Sequence, residues 1–81
     1  HHDTVKPNKA YTRHPFEPAI EGGKLYGLGS NDAGGCLVAL LAAFIHYFPL
    51  QSLPFNIVFA ASAEEEISGQ QGIEMVLPHL G

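Results

Sequence analysis

Two solid apolar blocks stand out from an otherwise mixed chain. The first, Cys36-Leu37-Val38-Ala39-Leu40-Leu41-Ala42-Ala43-Phe44-Ile45, is apolar on every helical face and predicts a buried helix from about Ala33 to Tyr47. The second, Phe55-Asn56-Ile57-Val58-Phe59-Ala60-Ala61, follows a connection bracketed by Pro49 and Pro54. Its β-branched and aromatic content predicts a buried strand. Upstream, Ala19 to Tyr26 predicts two short strands joined by a turn at Gly22-Gly23. Lys6 to Pro18 holds Pro7, Pro15 and Pro18 among polar residues with no sustained period, which predicts a surface loop pinned to the body by Tyr11 and Phe16. Ser68-Gly69-Gln70-Gln71 fits a Ser-x-x-Gln capping box opening a final helix toward Leu77. Strand–helix–strand–helix order predicts an α/β fold: a partial sheet, at least partly parallel, with flanking helices.

Composition narrows the function classes. The 81 residues suffice for one small domain at most, and a chain this short buries only about 60–65% of its unfolded surface. A net charge of −4 with four Lys plus Arg leaves no basic footprint for nucleic acid. The apolar run from Leu37 to Ile45 is too short to span a bilayer, so no membrane role is expected. The single cysteine, Cys36, has no intramolecular disulfide partner and suits a reducing, cytoplasmic compartment. The chain opens on His1 and not on methionine, and His1-His2-Asp3-Thr4-Val5 reads as a segment just after a strand. Residues 1–81 are therefore expected to be a piece of a larger protein.

Three places carry chemistry. In Gly27-Leu28-Gly29-Ser30-Asn31-Asp32-Ala33-Gly34-Gly35, one carboxylate stands among small residues at the entry to the predicted helix. Alone it reads as a helix cap. His1 and Asp3, two positions apart on an extended segment, point the same way; alone they read as solvated polar residues at a frayed end. Glu64-Glu65-Glu66 follows the apolar strand. Its plain reading is a solvated acidic turn, yet adjacent carboxylates repel one another unless a cation offsets the charge. In open α/β sheets the working groups gather at the carboxyl ends of strands, where all three places would fall. Imidazole with carboxylates suits zinc or a similar divalent ion. Gly27-x-Gly29 has the spacing of the start of a dinucleotide fingerprint, but the third glycine would fall at Asp32, whose carboxylate repels a pyrophosphate.

The sequence resembles the family of zinc-dependent amidohydrolases and exopeptidases that includes acetylornithine deacetylase, succinyl-diaminopimelate desuccinylase and aminoacylase. The pieces that carry the resemblance are His1-His2-Asp3-Thr4-Val5, Pro15-Phe16-Glu17-Pro18, Gly23 through Asp32, and Ala61-Ser62-Ala63-Glu64-Glu65-Glu66, in family order across almost the whole chain. The resemblance implies two Zn2+ ions, with Co2+ as a substitute. It implies that His1 binds one ion, Asp32 bridges both, Glu66 binds the second, Glu65 is the general base and Asp3 orients His1. It also implies a cis peptide bond between Asp32 and Ala33, and that residues 1–81 are the N-terminal part of an incomplete catalytic domain. Leu28 stands where an arginine is common and Gly34 where a lysine is common, which bears on the subfamily and not on the ligands. His46 and His79 are read as a helix-surface or packing residue and as a residue favourable to a helix C-terminus.

The expected activity is metal-dependent hydrolysis of the amide bond of an N-acyl amino acid, with acetylornithine-type deacetylation favoured by the Ser30-Asn31-Asp32-Ala33-Gly34-Gly35 version of the motif. A di- or tripeptidase of the same family and a non-catalytic binding homologue are the alternatives. The expected partners are a small N-acyl amino acid or short peptide and, for the parent, a second copy of itself.

Overall fold

The computed structural model describes all residues, His1–Gly81. Two short strands, β1 (Ala19–Glu21) and β2 (Lys24–Tyr26), pair antiparallel with Ile20 opposite Leu25. Gly22 and Gly23, at φ 56° and 74°, make the turn, a conformation in which any Cβ is strained. Helix α1 (Cys36–Tyr47) carries the first apolar block. It ends where Phe48 donates its N–H to the Phe44 carbonyl at 2.8 Å, because the following Pro49 has no N–H to continue the ladder. A short helix α2 (Ile73–Val76) runs into a 3₁₀ turn at Leu77–Leu80.

Four expectations are corrected. The helix starts at Cys36 and not Ala33, because Ser30–Gly35 forms a wide turn in which Asp32 (φ −115°, ψ 98°) and Ala33 (φ −119°, ψ 24°) leave helical geometry. Phe55–Ala61 forms no ladder, so the only sheet is the antiparallel β1–β2 pair and no parallel strands are present. An apolar strand of this kind needs neighbours on both edges. No backbone hydrogen bond forms within residues 55–61; the nearest lies just past their end, where His2 donates its N–H to the Ser62 carbonyl at 2.9 Å. The capping box at Ser68 does not form: Ser68 sits at φ 49° inside a turn, and α2 begins after Gly72 without a side-chain cap. Finally, Phe16 is 71% exposed and Tyr11 41%, so neither anchors the proline loop.

That loop is held instead by Arg13. Its guanidinium donates to both Glu21 carboxylate oxygens, at 3.0 and 2.7 Å, and lies 3.7 Å above the Tyr26 ring. The planar, forked cation matches carboxylate and aromatic face at once, which ties the loop to both strands of the hairpin. The Leu28 N–H adds a bond to the Pro15 carbonyl at 3.1 Å.

The molecule measures 47 × 34 × 12 Å. Its smallest dimension is about one helix diameter, so the chain forms a single layer and has no second layer to enclose a core. No hydrophobic residue is buried. Helix α1 meets residues 55–60 across one face, with Phe44 and Phe59 rings 6.0 Å apart, while Val38 and Ile45 remain about two-thirds exposed, at 64% and 63%. His46 sits on the exposed surface of α1 with its ring edge-on to Tyr47 at 4.8 Å, and His79 lies in the 3₁₀ turn.

Candidate metal centre

Three segments far apart in sequence bring their polar groups to one place. The amino-terminal segment supplies His1 and Asp3, the wide turn before α1 supplies Asp32, and the turn after the apolar block supplies Glu65 and Glu66. The bond joining the first and last is His2 to Ser62, which lays residues 1–3 beside residues 62–66. Asp3 extends that contact: its Oδ1 accepts the Glu65 N–H at 3.3 Å and its Oδ2 accepts the Glu66 N–H at 3.1 Å.

The wide turn places Asp32 opposite. Gly34 donates its N–H to the Gly29 carbonyl at 2.8 Å, closing a ring one residue larger than an α-helical one, and the Asp32–Ala33 peptide bond is cis, as the resemblance implies. Gly29, at φ 76°, sits against the Thr4 side chain, where a Cβ would collide with the Thr4 methyl. That glycine lets the turn approach the amino-terminal segment.

The result is a set of ligand-type atoms from His1, Asp32 and Glu66, all within 4.8 Å of one another. His1 Nδ1 lies 3.0 Å from the Asp3 carbonyl and 3.2 Å from Asp3 Oδ1, so the proton belongs on Nδ1. Its Nε2 then faces Asp32 Oδ1 at 3.2 Å and Glu65 Oε2 at 3.4 Å. A lone pair turned toward two carboxylate oxygens needs a proton or a cation between them. The carboxylates respond to the same crowding. Burial first, then the charges of Asp32, Glu65 and Asp3 and contact with Asp32, push the Glu66 carboxyl above its usual range. Burial also pushes Asp3 up, but the N–H groups of Glu66, Glu65 and Asp3 itself, with His2 nearby, outweigh it and hold Asp3 below its usual range. Asp3 is thus kept as an anion by N–H donors, while Glu66 is an anion short of positive charge. One imidazole and two carboxylates converging in this way fit a divalent cation.

A cleft of about 500 Å³ opens beside Asp32, lined among others by Thr4, Tyr11, Thr12, His14 and Asn31.

All five residues singled out in the sequence lie in this cluster. Two contacts have no signature in the sequence: the Asp3 bonds to the Glu65 and Glu66 backbone, and the bond from the Gln71 N–H to Glu64 Oε2 at 3.0 Å. Both depend on the chain folding back on itself.

Comparison with known proteins places the chain in a family. The profile of Peptidase family M20/M25/M40 matches residues 1–80. The chain belongs to this family. Among curated members of the M20 family it is similar to a succinyl-diaminopimelate desuccinylase of Buchnera aphidicola subsp. Cinara cedri (strain Cc), 41% identical over 66 residues, which cover 78% of this chain and 17% of that protein. A succinyl-diaminopimelate desuccinylase of Buchnera aphidicola subsp. Acyrthosiphon pisum (strain Tuc7) is 33% identical over 98% of this chain and 22% of its own length. One of Acidiphilium cryptum (strain JF-5) is 32% identical over 99% of this chain and 21% of its own length. The chain therefore spans about a fifth of these M20-family relatives. No solved structure matches it.

Proposed function

We propose that this chain is the N-terminal part of the catalytic domain of an M20-family hydrolase that cleaves the amide bond of an N-acyl amino acid. The observation that carries this reading is the convergence of His1, Asp32 and Glu66, with the Glu65 carboxylate beside the same His1 nitrogen. His1, Asp32 and Glu66 would hold divalent metal, zinc by the family resemblance, and other residues of the parent would supply the remaining ligands. A metal so held supplies Lewis acidity at the scissile carbonyl and a more acidic water. Glu65 is the general base: it takes the proton of the attacking water and returns it to the departing amine. Asp3 fixes the His1 tautomer and, through two backbone N–H groups, the turn bearing Glu65 and Glu66. The cleft beside Asp32 gives an acyl chain or amino-acid side chain a place to lie.

The relatives' names favour a succinyl over an acetyl group on the acyl side of the scissile amide, so N-succinyl-diaminopimelate ranks ahead of N-acetylornithine, with short peptides third. The parent enzyme, stripped with a chelator and reloaded with Zn2+ or Co2+, tests this directly. We expect activity to vanish and return with metal, and kcat/KM to be highest on the succinyl substrate. Full activity after metal is removed to below one ion per several chains would overturn the metal-dependent reading. Preference for the acetyl substrate would overturn only the choice of acyl group.

A further inference from the structure

Glu64 heads the acidic triplet yet contributes no atom to the converging ligand set. Its carboxylate is engaged elsewhere. Glu64 Oε2 accepts the Gln71 N–H at 3.0 Å, its carbonyl accepts the Gly69 N–H at 2.9 Å, and the Glu65 carbonyl accepts the Ser68 N–H at 3.0 Å. Glu64 and Ser68 both adopt left-handed backbone, at φ 55° and 49°. A side chain would not fit at either glycine of this loop. A Cβ on Gly69 would fall onto the Glu64 carboxylate, 2.7 Å from its Cδ, and one on Gly72 would lie 2.6 Å from the Ala63 carbonyl oxygen. The loop from 64 to 72 is thus folded tightly around one carboxylate, with Gly72 its one buried residue. Asp3 grips the Glu65 and Glu66 N–H groups from the amino-terminal side. Glu64 closes the loop on the other.

We infer that Glu64 is a positioning residue: its bond to Gln71 fixes the backbone that turns Glu65 and Glu66 toward His1 and Asp32. This rests on the roles proposed above for Glu65 and Glu66. Such a role needs an oxygen acceptor at glutamate's reach, and neither a titrating proton nor a metal bond. Glutamine at 64 satisfies it; alanine and the shorter aspartate do not.

The test is carried out in the full-length, metal-loaded parent. Glu64→Ala is expected to lower kcat by about 10–100-fold, the range for loss of groups that orient a metal site, with KM changed less than about twofold. Glu64→Gln is expected to keep kcat within about threefold of the parent. Equal losses in Glu64→Gln and Glu64→Ala would make Glu64 a chemical participant and overturn the inference, as would full kcat in Glu64→Ala. If Glu64→Ala yields no folded enzyme, Glu64→Asp decides: a reduced kcat at unchanged Tm supports positioning, and an unchanged kcat overturns it. Glu65→Gln, measured alongside, separates the two levels. If it stays active, the proposed function falls; if it is inactive while Glu64→Ala is fully active, only the role of Glu64 falls.

Discussion

Asp3 Oδ2 accepts the backbone N–H of Glu66 at 3.1 Å across 63 positions of sequence. With its other oxygen on the Glu65 N–H and against His1 Nδ1, one carboxylate links the imidazole to the acidic turn. Removing it frees both partners. We expect Asp3→Ala in the full-length parent to lower metal affinity or turnover by about 10–100-fold, the usual range for groups that orient ligands. Asp3→Asn, which keeps one acceptor oxygen, should fall between. Metal titration with kinetics reads this out, and parental values in Asp3→Ala would remove Asp3 from the site.

Neighbouring residues of the acidic turn have separable roles. Glu65→Gln should retain the full metal complement and lose at least about 10²–10⁴-fold in kcat, the contribution typical of a general base. Glu66→Ala should instead lose metal, because Glu66 and not Glu65 shares the ligand cluster with His1 and Asp32. Atomic absorption beside steady-state kinetics distinguishes them. A Glu65→Gln enzyme that sheds metal but keeps its rate would reverse the assignment.

What could be read in the sequence was what neighbouring residues decide. Helix α1 follows from an unbroken apolar run, and the hairpin from Gly22-Gly23, whose positive φ values are the turn. The capping box failed because Ser68 has a second local use, closing the turn from Glu65. Phe55–Ala61 has the composition of a strand, but a strand is completed by partners that lie elsewhere. The site divides in the same way. His1, Asp3, Asp32, Glu65 and Glu66 were legible as residue types in a family order, while their meeting depends on the His2–Ser62 and Asp3–Glu66 contacts, which no local pattern announces. Arg13 was missed because its partners, Glu21 and Tyr26, lie across the hairpin.

The Arg13–Glu21 tie carries a pH dependence whose sign follows from its shifts. The hydrogen bond from Arg13, then its charge, holds the Glu21 carboxyl below its usual range, and the same bond raises Arg13. A carboxyl lowered in the folded state contributes fully above its ordinary value, about 4.3, and loses that contribution as pH falls through the lowered value. Arg13 stays charged throughout. We expect Tyr26 ring resonances in selectively labelled parent enzyme to shift only below about pH 4.3, as the guanidinium leaves the ring. The shift should be absent in Glu21→Gln. The same transition in that variant, or one near neutrality, would place the titrating group elsewhere.

The final expectation concerns the 81-residue chain by itself. No hydrophobic residue is buried, and the radius of gyration of 16.0 Å exceeds the roughly 12 Å of a compact domain of this length. Leu40, Phe44, Leu53, Phe55, Ile57 and Phe59 line a wholly apolar groove between α1 and the 55–60 segment. Hydrophobic burial is the main favourable term in folding, and here almost none offsets the conformational entropy of ordering the chain. One antiparallel pair of three-residue strands does not make up the difference. In dilute solution the isolated chain should therefore show a broad, non-cooperative loss of helical circular dichroism on heating, bind a hydrophobic dye, bind Zn2+ weakly and release no amine from an N-acyl amino acid. The site has its own reason to fail. His1, Asp32 and Glu66 supply three donors in all, so under the two-zinc reading each ion would fall below the usual three protein donors of a catalytic zinc. A sharp thermal transition in monomeric chain, together with zinc-dependent amide hydrolysis, would show that these residues form a complete enzyme.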